Sequence, residues 1–211
     1  MRIIKRKHLP EFDESLHQEL LNSGWVPLRE PGSIAAAIIL SVPFMLTNLF
    51  ISIMVIRIFS TISLEEFGFT PDSFSITINL GVIIALFFLL IIHEVLHLIF
   101  IPNFIRSSKT YVGPAIFGGF VYTEEEIEKS RFILITVAPF LVISIILPII
   151  LGYLGVLTSP VKLLILLNAM ASSVDMLTLL LILMQVPNKA ILKNNRPKTY
   201  WKTLSTNTYK T

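Results

Sequence analysis

Four long apolar runs, separated by short polar connections, dominate the hydropathy pattern of this chain. They fall at about residues 34–59, 78–102, 132–155 and 161–186. A hydrocarbon core about 30 Å thick needs roughly 20 mostly apolar residues per crossing helix, at about 1.5 Å of rise each. Every run meets that length, so the pattern predicts four transmembrane helices.

The polar segments carry their own signals. Residues 1–33 hold Asp13 as an N-cap, apolar Leu16, Leu20 and Leu21, and Gly24 as a stop, which predicts a short amphipathic helix. Trp25 follows at the membrane approach, where an indole suits the interface. The apolar run after this lead-in is about twice the length of a signal-peptide core, so a retained first helix is expected. Between the second and third runs, Thr110 to Thr123 mixes β-formers with Gly113-Pro114 and Gly118-Gly119, a glycine-broken strand or hairpin. The stretch Thr123-Glu124-Glu125-Glu126 then reads as a helix N-terminus. From about Pro187 the chain turns Asn-, Lys- and Thr-rich, which predicts a solvated tail, with Tyr200 and Trp201 on the membrane surface. The fold class expected is an all-α membrane protein with four transmembrane helices and a short Gly-rich strand or hairpin between helices 2 and 3. Its parts are a cytosolic lead-in (1–33), a membrane core (34–186) and a basic cytosolic tail (187–211).

Composition supports the membrane reading, since 54% of the 211 residues are hydrophobic and only 15% charged, with a mean hydropathy of +0.76. Charge then orients the helices, because short basic loops stay on the cytoplasmic side. Arg2, Lys5, Arg6, Lys7 and Arg29 precede the first helix; Arg106, Lys109, Lys129 and Arg131 lie between the second and third; Lys189, Lys193, Arg196, Lys198, Lys202 and Lys210 follow the fourth. The first connection has Glu65, Glu66 and Asp72 with no basic residue, and the third is uncharged. A multi-pass protein of the cell membrane with both termini cytoplasmic is expected. The net charge of +3 is accounted for by this topology and by anionic headgroups, so the lipid bilayer is the expected partner and nucleic acid is not. With no cysteine, disulfides, thiolate catalysis and cysteine-ligated zinc are excluded, leaving His and carboxylates as strong metal ligands.

Placing an ionisable group in hydrocarbon costs on the order of 2.5–3.5 kcal/mol even on lenient scales. Arg57 and Lys162 lie near segment ends and can snorkel. The deep ones are His93, Glu94, His97 and Asp175. His93 and His97 stand at i and i+4, one face of a helix, so both imidazoles can reach one metal ion; Glu94, rotated by one residue, is placed as a general base and not a ligand. A catalytic zinc site takes three protein ligands, and Asp175 on the fourth helix is the candidate third. Counting from the inner helix ends puts it roughly 3 Å deeper than His93. Asn168, Ser172 and Asp175 form one polar stripe, from which Asn168 could bond substrate backbone or an oxyanion, and Ser172 or Ser173 could orient the Asp175 carboxylate.

Plainer roles stand beside these. Asp175 could be a protonated packing residue or part of a proton relay, Asn168 and the serines could bond between helices, Pro139 could only kink its helix, and His8 and His17 read as surface residues. The functional alternatives are a membrane-tethered metalloprotease cutting juxtamembrane or cytosolic chain, with its third ligand among Glu124, Glu125, Glu126 and Glu128, or a noncatalytic metal-binding or transport protein.

With these residues in hand, the chain resembles the site-2 protease group of intramembrane zinc metalloproteases, and within it a bacterial branch of zincin peptidases. The resemblance rests on His93-Glu94-Val95-Leu96-His97, the Gly-rich segment around Gly113 to Tyr122, Ala138-Pro139-Phe140, and Asn168 to Asp175. It implies one Zn2+ per chain held by His93, His97 and Asp175, Glu94 as the catalytic base, and hydrolysis of peptide bonds in or next to transmembrane segments of membrane-protein or peptide substrates. Where that group has Pro between the Asn and the Asp and Gly after it, this chain has no such Pro, and Met176 follows Asp175.

Overall fold

In the computed structural model the described residues are 2–3, 12–70, 73, 80–115 and 118–204. Lys5, Arg6, Lys7, His8, Asp72 and Lys210 lie outside them. The lead-in forms α1 (Glu14–Asn22), capped by the Asp13 carboxylate accepting the Leu16 N–H at 3.0 Å, and the chain leaves it through Gly24 at φ +79°.

Among the described residues four helices are long and apolar enough to cross a membrane, consistent with a multi-pass membrane protein. The first is α2 (Ile34–Arg57) and the second α3 (Leu80–Phe100). The third, Lys129–Tyr153, consists of α4 (Lys129–Pro139), a π-helical stretch (Phe140–Ile146) and α5 (Leu147–Tyr153). The fourth, Ser159–Gln185, breaks at Ser172 into α6 (Ser159–Ala171) and α7 (Ser173–Gln185). Ser172 bonds its hydroxyl back to the Asn168 carbonyl at 2.9 Å, a back-bond that bends helices. Small polar residues line the helix contacts while large apolar ones face outward, the distribution expected where lipid is the solvent. On α2, Asn48 donates to the Ala169 carbonyl at 3.1 Å and Ser41 meets Ser173 at 3.3 Å, whereas Ile39, Leu46 and Phe50 are exposed.

The chain is not all-α. The strands are β1 (Arg2–Ile3), β2 (Val26–Pro27), β3 (Thr110–Ala115), β4 (Gly118–Thr123), β5 (Ile127–Glu128), β6 (Ala190–Asn195) and β7 (Lys198–Thr203). They form two sheets, β1-β3-β4 and β2-β7-β6-β5. The Gly-rich hairpin expected between the second and third helices is β3-β4. The second sheet was hidden because its strands are rich in Lys, Asn and Thr, and the residues expected as a solvated tail form its central hairpin. Tyr200 is fully buried against Leu20 and Trp25, and its hydroxyl meets His17 Nδ1 at 2.7 Å. Trp25 and Tyr200 are therefore interior parts of a small layer at one end of the helices, with half-buried His17 at its edge. The acidic stretch 124–126 does not start a helix, since Ile127 pairs with Leu192 in the sheet and the helix begins at Lys129.

This second sheet joins β2 from the lead-in, β5 from the middle loop and β6-β7 from the C-terminal segment, so the three basic stretches share one end of the helix bundle. The opposite end is closed by a different contact. Lys162 does not snorkel: it is 4% exposed, and its ammonium donates to Glu66 Oε2 at 2.8 Å and to the Thr61 carbonyl at 2.6 Å. Ser159 donates to the same carboxylate oxygen at 3.0 Å. These donors hold the Glu66 carboxyl below the usual carboxylate range, the Lys162 bond contributing most.

Removing the Glu66 carboxylate leaves a buried ammonium with one neutral acceptor. Glu66→Ala is expected to cost about 1–3 kcal/mol of unfolding free energy in detergent. Because the folded-state pKa is depressed, the contribution is complete above the unfolded value, near pH 4.3, and fades as acidification protonates Glu66. Denaturation of Glu66→Ala and the parent at pH 7 and at pH 3 checks this: the gap between them should narrow at pH 3.

Candidate metal centre

The His-x-x-x-His spacing on α3 places two imidazoles on one face, with ring centroids 5.1 Å apart. The bend at Ser172 puts Asp175 in the first turn of α7, where its carboxylate lies 3.4 Å from His93 Nε2 and 3.7 Å from His97 Nε2. One ligand atom from each of His93, His97 and Asp175 falls within 4.8 Å of the others. None of Glu124, Glu125, Glu126 or Glu128 belongs to that group.

Each imidazole is fixed through its other nitrogen. His97 Nδ1 lies 2.8 Å from the Ile135 carbonyl. A carbonyl only accepts, so Nδ1 carries the proton and Nε2 keeps its lone pair toward the site. The origin of that acceptor is legible in the sequence: the ordinary donor to the carbonyl of residue 135 is the N–H of residue 139, and residue 139 is proline. The proline kink thus provides an acceptor inside a helix for the second metal-facing histidine.

His93 is held by the fourth helix. Its Nδ1 lies 2.9 Å from Asn168 Oδ1, while Asn168 Nδ2 donates to the Pro139 carbonyl at 3.1 Å and to Ser144 Oγ at 2.9 Å. The Pro139 carbonyl fixes which end of the amide is the NH2 group, and hence fixes Nδ1 of His93 as a donor. Ser144, in the π-helical stretch, passes its own proton to the Ile165 carbonyl at 3.3 Å. Both imidazoles therefore turn Nε2, the free nitrogen of the neutral ring in this tautomer, toward a carboxylate, a donor set that fits zinc.

Of the roles open to Asn168, contact with substrate or hydrogen bonding between helices, the geometry has the second: its amide bonds His93, Pro139 and Ser144. Ser172 and Ser173 were expected to orient Asp175, but their hydroxyls go to the Asn168 carbonyl and to Ser41. Ser172 acts on Asp175 through the helix bend.

Glu94 lies one residue round from His93 and is half-buried under β4. Its Oε2 accepts the Val121 N–H at 3.2 Å, and no hydrogen bond to Oε1 is formed among the described residues. A Cβ on Gly119 would be in van der Waals contact with both neighbours, 3.4 Å from the Gly113 carbonyl and 4.0 Å from Glu94 Cγ, so β4 packs directly on the Glu94 side chain. Val121 opposes Val112 across β3-β4 yet sends its N–H away from β3 to Glu94, and the Thr123 carbonyl likewise turns outward to Asn194 Nδ2 at 3.2 Å. Positions 119, 121 and 123 thus present one backbone edge toward the centre.

A cavity of about 320 Å³ opens on the centre, lined by Glu94, His97 and Asp175 from the helices, Tyr122 from β4 and Arg196 and Lys198 from the β6-β7 tip. A neighbouring, more apolar cavity of about 180 Å³ is lined by Ile101, Ile127, Phe132 and Ile135 beside His97. Tyr122 links the two layers: its hydroxyl donates to the Asn194 carbonyl at 3.2 Å and accepts the Arg196 N–H at 3.1 Å. Burial pushes that phenol up to about 12, so it remains a donor throughout the neutral range. Sequence reasoning missed Ile135, Ser144, Val121 and Arg196, of which only Ile135 left a signal, four residues before Pro139.

The family model described as "Putative zincin peptidase" matches residues 86–191, half of the chain, and encloses His93, Glu94, His97, Asn168 and Asp175. Comparison with curated proteins and with solved structures gives no match.

Removing the partner of a ligating imidazole commonly weakens metal affinity about 10–100-fold. Asn168→Ala is expected to fall in that range for zinc, measured by competition with a chelator. Pro139→Ala, which restores a helical donor to the Ile135 carbonyl, should weaken zinc binding in the same direction. Unchanged affinity in both would dismiss the assigned roles.

Proposed function

The chain belongs to the zincin peptidase family, and from that premise we propose that it is a zinc-dependent membrane endopeptidase of the site-2 protease type, cutting peptide bonds in or next to transmembrane segments of membrane-anchored substrates. The observation that carries this reading is the convergence of two Nε2 atoms, one carboxylate and a nonligating Glu94 on helices long enough to cross a membrane. A pure metal-binding or transport site has no need of Glu94. In this reading both termini are cytoplasmic, and the sheet-bearing end of the bundle, with its basic stretches, faces the cytosol.

His93, His97 and Asp175 would hold the zinc, which when bound supplies Lewis acidity toward water and the scissile carbonyl. The rest falls to the chain's own groups. Asn168 and the Ile135 carbonyl keep the two imidazoles in the ligating tautomer. The Val121 N–H holds one oxygen of Glu94, leaving Oε1 to take the proton of the attacking water and return it to the leaving amine. A transmembrane substrate must unwind before its carbonyl can be attacked, and the outward edge of β4 around Gly119, beyond the groups committed to Glu94 and Asn194, receives it as a short added strand. The apolar cavity beside His97 takes a hydrophobic side chain next to the scissile bond.

Glu94→Gln in reconstituted protein is expected to keep its zinc and lose cleavage by at least about 100-fold; undiminished cleavage would sink the assignment. Asp175→Ala is expected to lose zinc occupancy, and full retention would remove Asp175 from the ligand set. A separate measurement addresses the strand edge: Gly119→Val presses branched carbons between β4 and Glu94, so cleavage should fall several-fold or more at unchanged zinc content.

A further inference from the structure

Arg196 lies beyond the residues matched by the family, at the tip of the β6-β7 hairpin, and lines the cavity of the metal centre together with Glu94 and Asp175. It is half-buried. Among the described residues no carboxylate oxygen lies within 4.0 Å of its guanidinium, although nearby Lys193 is paired with Glu126 at 3.5 Å. Its only hydrogen bond among them is made by its backbone N–H, to Tyr122. Its fork of donors is thus left unpaired by hydrogen bonds, with Glu94 only as a more distant charge, and a carboxylate on the ligand would pair it.

The charge of the cavity points the same way. Lys198 is exposed and has Glu30 as a charge neighbour, so Glu94 and Asp175 face Arg196, and a bound dication leaves the lining net positive by about one charge. The backbone that carries the guanidinium is held at a set place: Tyr122 ties the Arg196 and Asn194 backbones to β4, and β4 in turn holds Glu94. The planar fork of arginine matches a carboxylate with two parallel hydrogen bonds.

We propose that Arg196 is a carboxylate-recognising subsite of the peptidase, binding an anionic group on the substrate chain close to the scissile bond. This rests on the metallopeptidase reading above. The carboxylate could belong to an Asp or Glu side chain, which keeps the enzyme an endopeptidase, or to the chain terminus, which makes it a carboxypeptidase.

Four short peptide hydroxamates separate these cases, carrying Glu or Gln beside the zinc-binding group, each with a free or an amidated C-terminus. Their affinities for the zinc-loaded full chain in detergent are measured by calorimetry. One of the two carboxylates is expected to bind about tenfold tighter than its amide, and which one it is identifies the source. Arg196→Ala and Arg196→Gln should abolish that gain while leaving the neutral probe and the zinc content unchanged, since only the backbone of residue 196 is used in the fold. A gain that persists in either variant, or no gain in the parent protein, overturns the subsite. If instead the neutral probe binds no better with zinc than after chelation, the metal-centre reading itself has failed.

Discussion

An imidazole that ligates through Nε2 in an apolar helix bundle must give its Nδ1 proton to an acceptor, and apolar side chains offer none. That requirement organises the core of this protein. Two acceptors are needed within a few ångströms, on helices whose carbonyls are otherwise committed to their own ladders. One is a side chain, Asn168, whose amide is itself held by the Pro139 carbonyl and Ser144. The other is a backbone carbonyl without its usual donor because residue 139 has no N–H. The kinked third helix, its π-helical stretch and the polar stripe of the fourth all serve these two bonds.

Much of this was written in the sequence, because membrane insertion penalises polar residues and so makes each one conspicuous. His93, Glu94, His97 and Asp175 stand out in hydrocarbon-length runs, and the structure brings the imidazoles and Asp175 together. The division of labour along the polar stripe was not legible. Periodicity says that Asn168 and Ser172 face inward; whether each meets substrate, ligand or backbone depends on the neighbouring helix, and here a proline on that helix decides it. Lys162 was misread for a related reason, since a count of residues to the helix end cannot show that Glu66 folds back to meet it.

Outside the bundle the signal weakens. The strands of the second sheet are two to six residues long, and β6 and β7 carry Lys193, Asn194, Asn195, Thr199 and Lys202 at positions that are nonetheless half-buried or buried. Their order comes from long-range pairing, β2 to β7 and β5 to β6, together with the clamp of Glu30 on Thr199 at 2.8 and 2.9 Å. Short strands whose partners lie more than 60 residues away along the chain have no local pattern to announce them.

That pairing also sets an order of assembly. The strand β7 is made after all four long helices, yet it sits between β2, which precedes the first helix, and β6. The helices by themselves bring Asp175 to the histidines, whereas the tip carrying Arg196 takes its place only when the β6-β7 hairpin pairs with β2 and β5. The cavity over the centre gains its cationic wall from that pairing, so the four long helices alone leave its mouth unfinished.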